Sequence, residues 1–465
     1  MKTKPVSSLI LTTYAVVIFL LSACGNQPAE PITITATEST IDVIESTHTA
    51  VPTATAVPPT TTPIPTAPPG STATPTPQPS PTHTPFPTAT AIPAELLTPV
   101  AHAPDVQPPP YAPSECSDRF PCNEDVEAWE ARIRVPAGFK VSYLAQIPHP
   151  ELPEFGSQLT SMTFGPDGLL YVATTKGEIY KITADGSYEL YVDGFTVPTG
   201  LAFQPGTEKL FVSNRVEDRN VNGEGQISVV ENGEITTLFD GLPCCYIGMH
   251  GPNGIAFGPD GYGYVGVGGR ADHGEILDGS NQQDELQPNE AVILRFHPDG
   301  SEVEPYAWGF RNPYDIAWDA LGNLYATDNG RDGNAEDGDI VPEELKRVEP
   351  GGQHGYPYFD CPACFGIPDG VEIVPPVYEF EAHSVPAGIT TYLHEQFPGY
   401  YNSQFLVLWT ALPFASKVVR YTADGTASTF STGYAAPIDV VTGPDGALYV
   451  GDYATGIIFK IEYEG

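Results

Sequence analysis

Three short segments of this 465-residue chain carry side chains that can act together on an alcohol. Gly248-Met249-His250 runs into the apolar stretch Ile255-Ala256-Phe257. Gly309-Phe310-Arg311-Asn312-Pro313 runs into Ile316-Ala317-Trp318, and Asp328-Asn329-Gly330-Arg331-Asp332 follows Leu324-Tyr325-Ala326-Thr327. A neutral imidazole takes a proton from a hydroxyl. A guanidinium pairs with carboxylate oxygens through a fork of N–H donors. By position alone His250 serves equally well as a hydrogen-bond anchor for a neighbouring loop. His250 and Arg311 stand at equivalent places, each just ahead of the first strand of a repeat, and a fold that stacks those repeats around one axis would bring them together.

The repeat is a strand, a tight Gly-containing turn and a second strand. It occurs as SMTFGPDGLLYVATT from Ser161, TGLAFQPGTEKLFVSN from Thr199, NGIAFGPDGYGYVGVGG from Asn253, DIAWDALGNLYATDNG from Asp315 and IDVVTGPDGALYVGD from Ile438. A degenerate copy, AGITTYLHEQFPGYYNSQFLVLWT, starts at Ala387. The six copies, aligned on Met162, Leu201, Ile255, Ile316, Ile389 and Val440, lie 39 to 73 residues apart. Periods near 40 to 50 residues with several strands each mark the blades of a β-propeller, and the longer spacings mark inserted loops. The expected fold is all-β, a six-bladed propeller over residues 114–465. In such a ring the segments before the first strands gather at one end of the central channel.

The rest of the chain reads as delivery and support. Lys2 and Lys4 precede an apolar run, Leu9 to Leu21, of signal-peptide length, and Leu21-Ser22-Ala23-Cys24 resembles the lipobox of bacterial lipoproteins. That resemblance implies a signal peptide over 1–23, lipidation of Cys24 and an extracytoplasmic protein held to the membrane through lipid. Residues 24–113 form a Thr/Pro-rich tract, PPTTTPIPTAPPGSTATPTPQPSP among them, that cannot build a core and reads as an extended, disordered stalk. With 58 acidic against 20 basic residues, the net charge of -38 argues against nucleic acid as a partner and against electrostatic docking on anionic lipid. Besides Cys24 there are six cysteines: Cys116, Cys122, Cys244, Cys245, Cys361 and Cys364. An even number in an exported chain suggests three disulfides, with 15 pairings open. Neighbours pair as Cys116–Cys122, Cys361–Cys364 and a vicinal Cys244–Cys245; alternatively the 244/245 pair bridges to 361 and 364.

The ordered set His250, Arg311-Asn312-Pro313 and Gly352-Gln353-His354-Gly355-Tyr356-Pro357, with Glu343-Glu344-Leu345-Lys346-Arg347-Val348 between, resembles the glucose/sorbosone dehydrogenase family. HSVPAGITTYLHEQFPGYYNSQFLVLW from His383 is similar to its sorbosone-type branch. The resemblance covers most of residues 135–465. It implies a six-bladed propeller that binds pyrroloquinoline quinone (PQQ) with calcium, oxidises a sugar and passes the electrons to an acceptor the sequence does not name. It implies His250 as general base, Arg311 and Asn312 on the quinone oxygens, backbone carbonyls of Gly330 and Arg331 on the cofactor's calcium, and Glu344 at a second, structural calcium. The chain departs from the pattern at Met249, where the family often has Asp, and at Ala436-Pro437, where it usually has Arg. Lys417, Arg270 and Arg215 are the candidates to supply the missing positive charge. Some other quinoproteins place a vicinal disulfide against the quinone plane, a role open to Cys244-Cys245. The alternative of a different class is a non-catalytic cell-surface propeller that binds a glycan or a protein.

Overall fold

The computed structural model describes residues 120–148, 157–216, 223–245, 250–270, 275–276, 280–283, 286–331, 341–358, 367–410 and 415–465. They form a six-bladed propeller of four-stranded antiparallel sheets. The innermost strands, in blade order, are Leu159–Phe164, Thr196–Phe203, Pro252–Phe257, Pro313–Trp318, Pro386–Thr391 and Pro437–Thr442. All six residues on which the repeats align fall in these strands. The second strands are buried throughout, as in Leu170–Thr174, Leu324–Asp328 and Leu448–Asp452.

The turn between first and second strands is built from its sequence. In blade 1 Gly168 takes φ +77°, where an L side chain is strained, and the Asp167 carboxylate accepts the Leu169 N–H at 3.1 Å and the Tyr171 hydroxyl at 3.0 Å. Blade 3 repeats this with Asp260, Gly261, Tyr262 and Tyr264, and blade 6 with Asp445, Gly446, Ala447 and Tyr449. Each of these strand pairs therefore carries its own lock.

The core is divided among blade interfaces. Phe211, Leu242, Val265 and Phe296 pack between blades 2 and 3; Tyr264, Phe310, Ile316 and Val348 between 3 and 4; Tyr325, Leu345, Ile389 and Val419 between 4 and 5. Side chains also bond across to the next innermost strand. Thr199 Oγ1 donates to Pro252 O at 2.7 Å, Thr327 Oγ1 to Ala387 O at 2.7 Å, and the Asp315 and Asp439 carboxylates accept Ile389 N–H at 2.9 Å and Met162 N–H at 2.5 Å.

Closure of the ring comes from the other end of the chain. A short helix, Val126–Arg132, is capped by Asp125, whose side chain accepts the Ala128 N–H, and buries Trp129. The strand after it, Phe139–Gln146, becomes the outer strand of blade 6 by pairing antiparallel with Ile457–Tyr463.

The expected signal peptide, Cys24, the stalk, Cys116, Met249, Cys361 and Cys364 lie outside the described residues. Cys122 is disulfide-bonded, and the structure joins Cys244 to Cys245. Among the described residues no helix is long and apolar enough to cross a membrane.

Candidate active site

A cavity of about 320 Å³ opens at the end of the ring where the innermost strands begin. His250, Arg311 and Asn312 all line it, as their equivalent places ahead of neighbouring strands require. Tyr314, Asn329, Gly330 and Glu343 continue the wall on blade 4; His383, Val385 and Trp409 form it on blade 5, with Ile438 and Tyr453 from blade 6.

His250 is buried, and its Nδ1–H donates to the Gly269 carbonyl at 3.0 Å, which leaves the lone pair on Nε2. Burial, and next the Arg311 charge, hold its pKa well below the usual imidazole value, so the ring is neutral. Arg311 Nη1 donates to Asn329 O at 3.2 Å. The turn that presents Arg311 and Asn312 is fastened by Asp328, whose carboxylate accepts both backbone N–H groups, at 3.3 and 2.8 Å. Three amides then run around the ring. Asn253 Nδ2 donates to Asn312 Oδ1 at 2.9 Å, Asn312 Nδ2 to Asn329 Oδ1 at 3.0 Å, and Asn329 Nδ2 to Pro386 O at 2.7 Å. Buried amides satisfied this way make a rigid wall.

Glu343 is a site residue that the sequence reading missed. One carboxylate oxygen accepts the Gly330 N–H at 2.8 Å and the other the His383 N–H at 2.9 Å, tying blade 4 to the segment that enters blade 5. Burial pushes its carboxyl up to about 8, against the opposing pull of the two N–H groups and Arg311. Its strand position beside Glu344 was visible, but which of two adjacent acids faces the axis was not.

Two expected ligands sit elsewhere. Lys417 opens the third strand of blade 5 and lines a separate groove with Glu379, Glu381 and Ser384, not the cavity. Glu344 points into a small cleft beside the cavity, where its carboxylate meets the ammonium of Lys346 at 2.8 Å. The same ammonium holds Asp328 at 2.7 Å and donates to His354 O at 2.9 Å. Lys346 is buried, and these carboxylates hold its pKa above the ordinary lysine value despite burial. An ammonium already stands where the second calcium was expected, so Glu344 does not fit that role. Of the other cations, Arg270 is spent on Glu290 at 2.9 Å, while buried Arg215 lies near enough to lower the His250 pKa. Cys244 and Cys245 are fully buried behind Gly251, where an added Cβ would lie 3.0 Å from Cys244 Sγ, and do not line the cavity.

A family model described as Glucose / Sorbosone dehydrogenase matches residues 212–460, more than half of the chain and every residue that forms the cavity. The chain belongs to the glucose/sorbosone dehydrogenase family. An uncharacterised protein of Borreliella burgdorferi is 24% identical over 371 residues, covering 71% of this chain and 91% of that protein. Among solved structures, a putative oxidoreductase (glucose dehydrogenase) of Thermus thermophilus is 20% identical with a TM-score of 0.53, covering 70% of this chain and 99% of that one. The PQQ-bound aldose sugar dehydrogenase of Streptomyces coelicolor is 20% identical with a TM-score of 0.52, over 71% and 99%. At such identities these structures support the propeller fold; the family rests on the match over 212–460.

The described residues suit a flat, anionic, aromatic group. Tyr314, Trp409 and Tyr453 offer ring surface, while Arg311 and Asn312 offer donors at one edge. A hard cation seeks oxygen, and Gly330 and the Glu343 carboxyl stand together in the cavity wall. No cluster of three or more His, Cys, Asp or Glu side chains that could hold a metal occurs among the described residues.

Proposed function

We propose that this chain is a PQQ- and calcium-dependent dehydrogenase that oxidises an aldose hydroxyl, tethered outside the cytoplasm through lipidated Cys24. The observation that carries the reading is the shared wall of His250, Arg311 and Asn312, with His250 held neutral and its lone pair on Nε2. When bound, the quinone supplies a two-electron acceptor for the hydrogen on the sugar's C1. His250 Nε2 receives the C1 hydroxyl proton, and the nearby Arg311 charge makes that proton easy to release again. Arg311 and Asn312, fixed by Asp328 and the amide relay, hold the cofactor's oxygens in one orientation. Carbonyls of Gly330 and Arg331 hold the calcium.

The test is titration of the full-length chain with PQQ, with and without calcium, read by absorbance and by thermal shift. Tight, calcium-dependent binding that Arg311→Ala removes, followed by dye reduction with an aldose, supports the reading. Because Lys417 and Arg270 are engaged elsewhere, Arg311 is the one lysine or arginine lining the cavity among the described residues. That observation favours the second reading, a non-catalytic propeller that binds a glycan or protein. Absence of PQQ binding at high micromolar cofactor would select it.

A further inference from the structure

We propose that His383 binds the sugar, hydrogen-bonding a hydroxyl from the stretch of wall where blade 4 passes into blade 5, so that the substrate is oriented toward His250. This rests on the dehydrogenase reading.

The segment from Glu381 to Val385 links the outer strand of blade 4 to the innermost strand of blade 5. His383 and Val385 both take left-handed backbone, φ 63° and 52°. Glycine adopts that conformation without strain, whereas a β-branched valine is among the least suited residues. Such outliers persist where the surroundings over-determine them, and they gather at functional sites. Here the surroundings do so. The His383 N–H is held by Glu343, its carbonyl by the Thr410 hydroxyl at 2.8 Å, the Val385 carbonyl by the Trp409 N–H at 2.9 Å, and Ser384 N–H by Glu381 O at 3.1 Å.

The result of the strain is placement. Residues 383 and 385 both line the central cavity, and Ser384 between them lines the groove between blades 4 and 5 instead. The His383 ring makes no hydrogen bond to the described residues, although its surroundings on that side, Val385, Ala387, Trp409 and Ile438, are mostly apolar. Trp409 Nε1 is likewise buried without a partner among the described residues. The wall therefore combines aromatic surface with two N–H-bearing rings whose polar atoms no described residue engages. An imidazole and an indole N–H can each hydrogen-bond a hydroxyl, and a buried donor such as Trp409 Nε1 is normally satisfied. The chemistry recognised is a polyhydroxylated, uncharged ring.

The experiment uses the full-length chain and two readouts. Sugar titration without PQQ, followed by tryptophan fluorescence with Trp409→Phe as the control for the reporter, measures binding directly. Steady-state dye reduction of the loaded enzyme separates KM from kcat. His383→Leu is expected to weaken sugar binding and raise KM about tenfold or more, with kcat changed far less and PQQ affinity unchanged. His383→Gln, which keeps a donor and an acceptor, is expected to recover part of the loss. Val385→Gly is expected to raise the melting temperature while weakening sugar binding, which a purely structural segment would not show. Unchanged sugar binding and KM in His383→Leu overturn the proposal, as does a loss of PQQ affinity, which would make His383 a cofactor contact. If the wild type binds no PQQ, the dehydrogenase reading fails, and the fluorescence titration still decides the role of His383; no sugar response at all overturns both.

Discussion

A base that is already neutral does not wait for the pH to prepare it. His250 owes this to burial and to Arg311, so its titration lies far below that of a solvated imidazole. With Glu343→Gln removing the site carboxyl that burial raises to about 8, kcat/KM in the proposed reaction should therefore stay flat as pH falls from 8 through about 6.5, the usual imidazole range. An inflection near that value in a pH–rate profile would show His250 to be solvated in the working enzyme. Lys346 offers a second test at this scale. Replacing it by Met leaves Asp328 and Glu344 buried without their cation, which costs roughly 3–5 kcal/mol. The loss should appear as a large fall in melting temperature. Calcium added without PQQ should raise the melting temperature more in Lys346→Met than in the wild type, if the ammonium stands in for the structural metal. From the sequence Lys346 looks like an ordinary solvent-facing strand lysine. What identifies it is the register that sets it between Asp328, on the neighbouring strand, and the His354 carbonyl.

Among the elements, the innermost strands depend on small residues at blade contacts. A Cβ on Gly388 would lie 2.5 Å from the Asp439 Cα, so Gly388→Ala should force blades 5 and 6 apart. A loss of about 1–3 kcal/mol in denaturant unfolding is the expected size. Much of this layer was legible in the chain. The Asp-Gly turns, with a tyrosine three positions after the glycine, name their own structure, and His250 and Arg311 could be matched because each precedes such a strand. The loops were not legible. Lys417 looked available because its charge is visible and its direction is not. His383 opens the sorbosone-type segment but drew no site role from the sequence, because a left-handed backbone at a non-glycine residue is imposed by distant partners, Glu343 and Thr410, that local pattern cannot reveal. The identity of the outer strand of blade 6 was hidden for the same reason, since FKVSYLAQ reads as a strand without saying which blade it completes.

For the whole molecule, acidity reaches the interior. Asp439 is buried and Asp315 half-buried on innermost strands, and Asp452 is buried at the end of the second strand of blade 6. Their carboxyls sit above the ordinary range because they are withdrawn from water, and Asp315 is pushed further by Asp439. A carboxyl raised on folding holds its proton more tightly in the native state than in the unfolded one. Its stabilising effect is complete below the unfolded value and is lost as pH rises through the folded one. Glu343 adds to the same trend, up to about 8. The buried neutral His250 and His354 act in the opposite sense, costing stability as pH falls below about 6.5. The unfolding free energy should thus peak in weak acid and fall toward pH 8, by about 1.4 kcal/mol per pH unit for each proton involved, and the melting temperature should fall with it. Asp439→Asn should flatten the alkaline side of that curve, and an unchanged slope would show that this carboxyl is already ionised in weak acid. The strand Phe139–Gln146 has a consequence of a different kind, in time. It is the first of the described strands to be synthesised, and its partner, Ile457–Tyr463, is the last. Blades 1 to 5 have all their strands before the sixth does, and the circle cannot shut until Ile457–Tyr463 has been made. Throughout that interval an eight-residue strand edge stands open, and whatever escorts the chain during its manufacture must keep that edge covered.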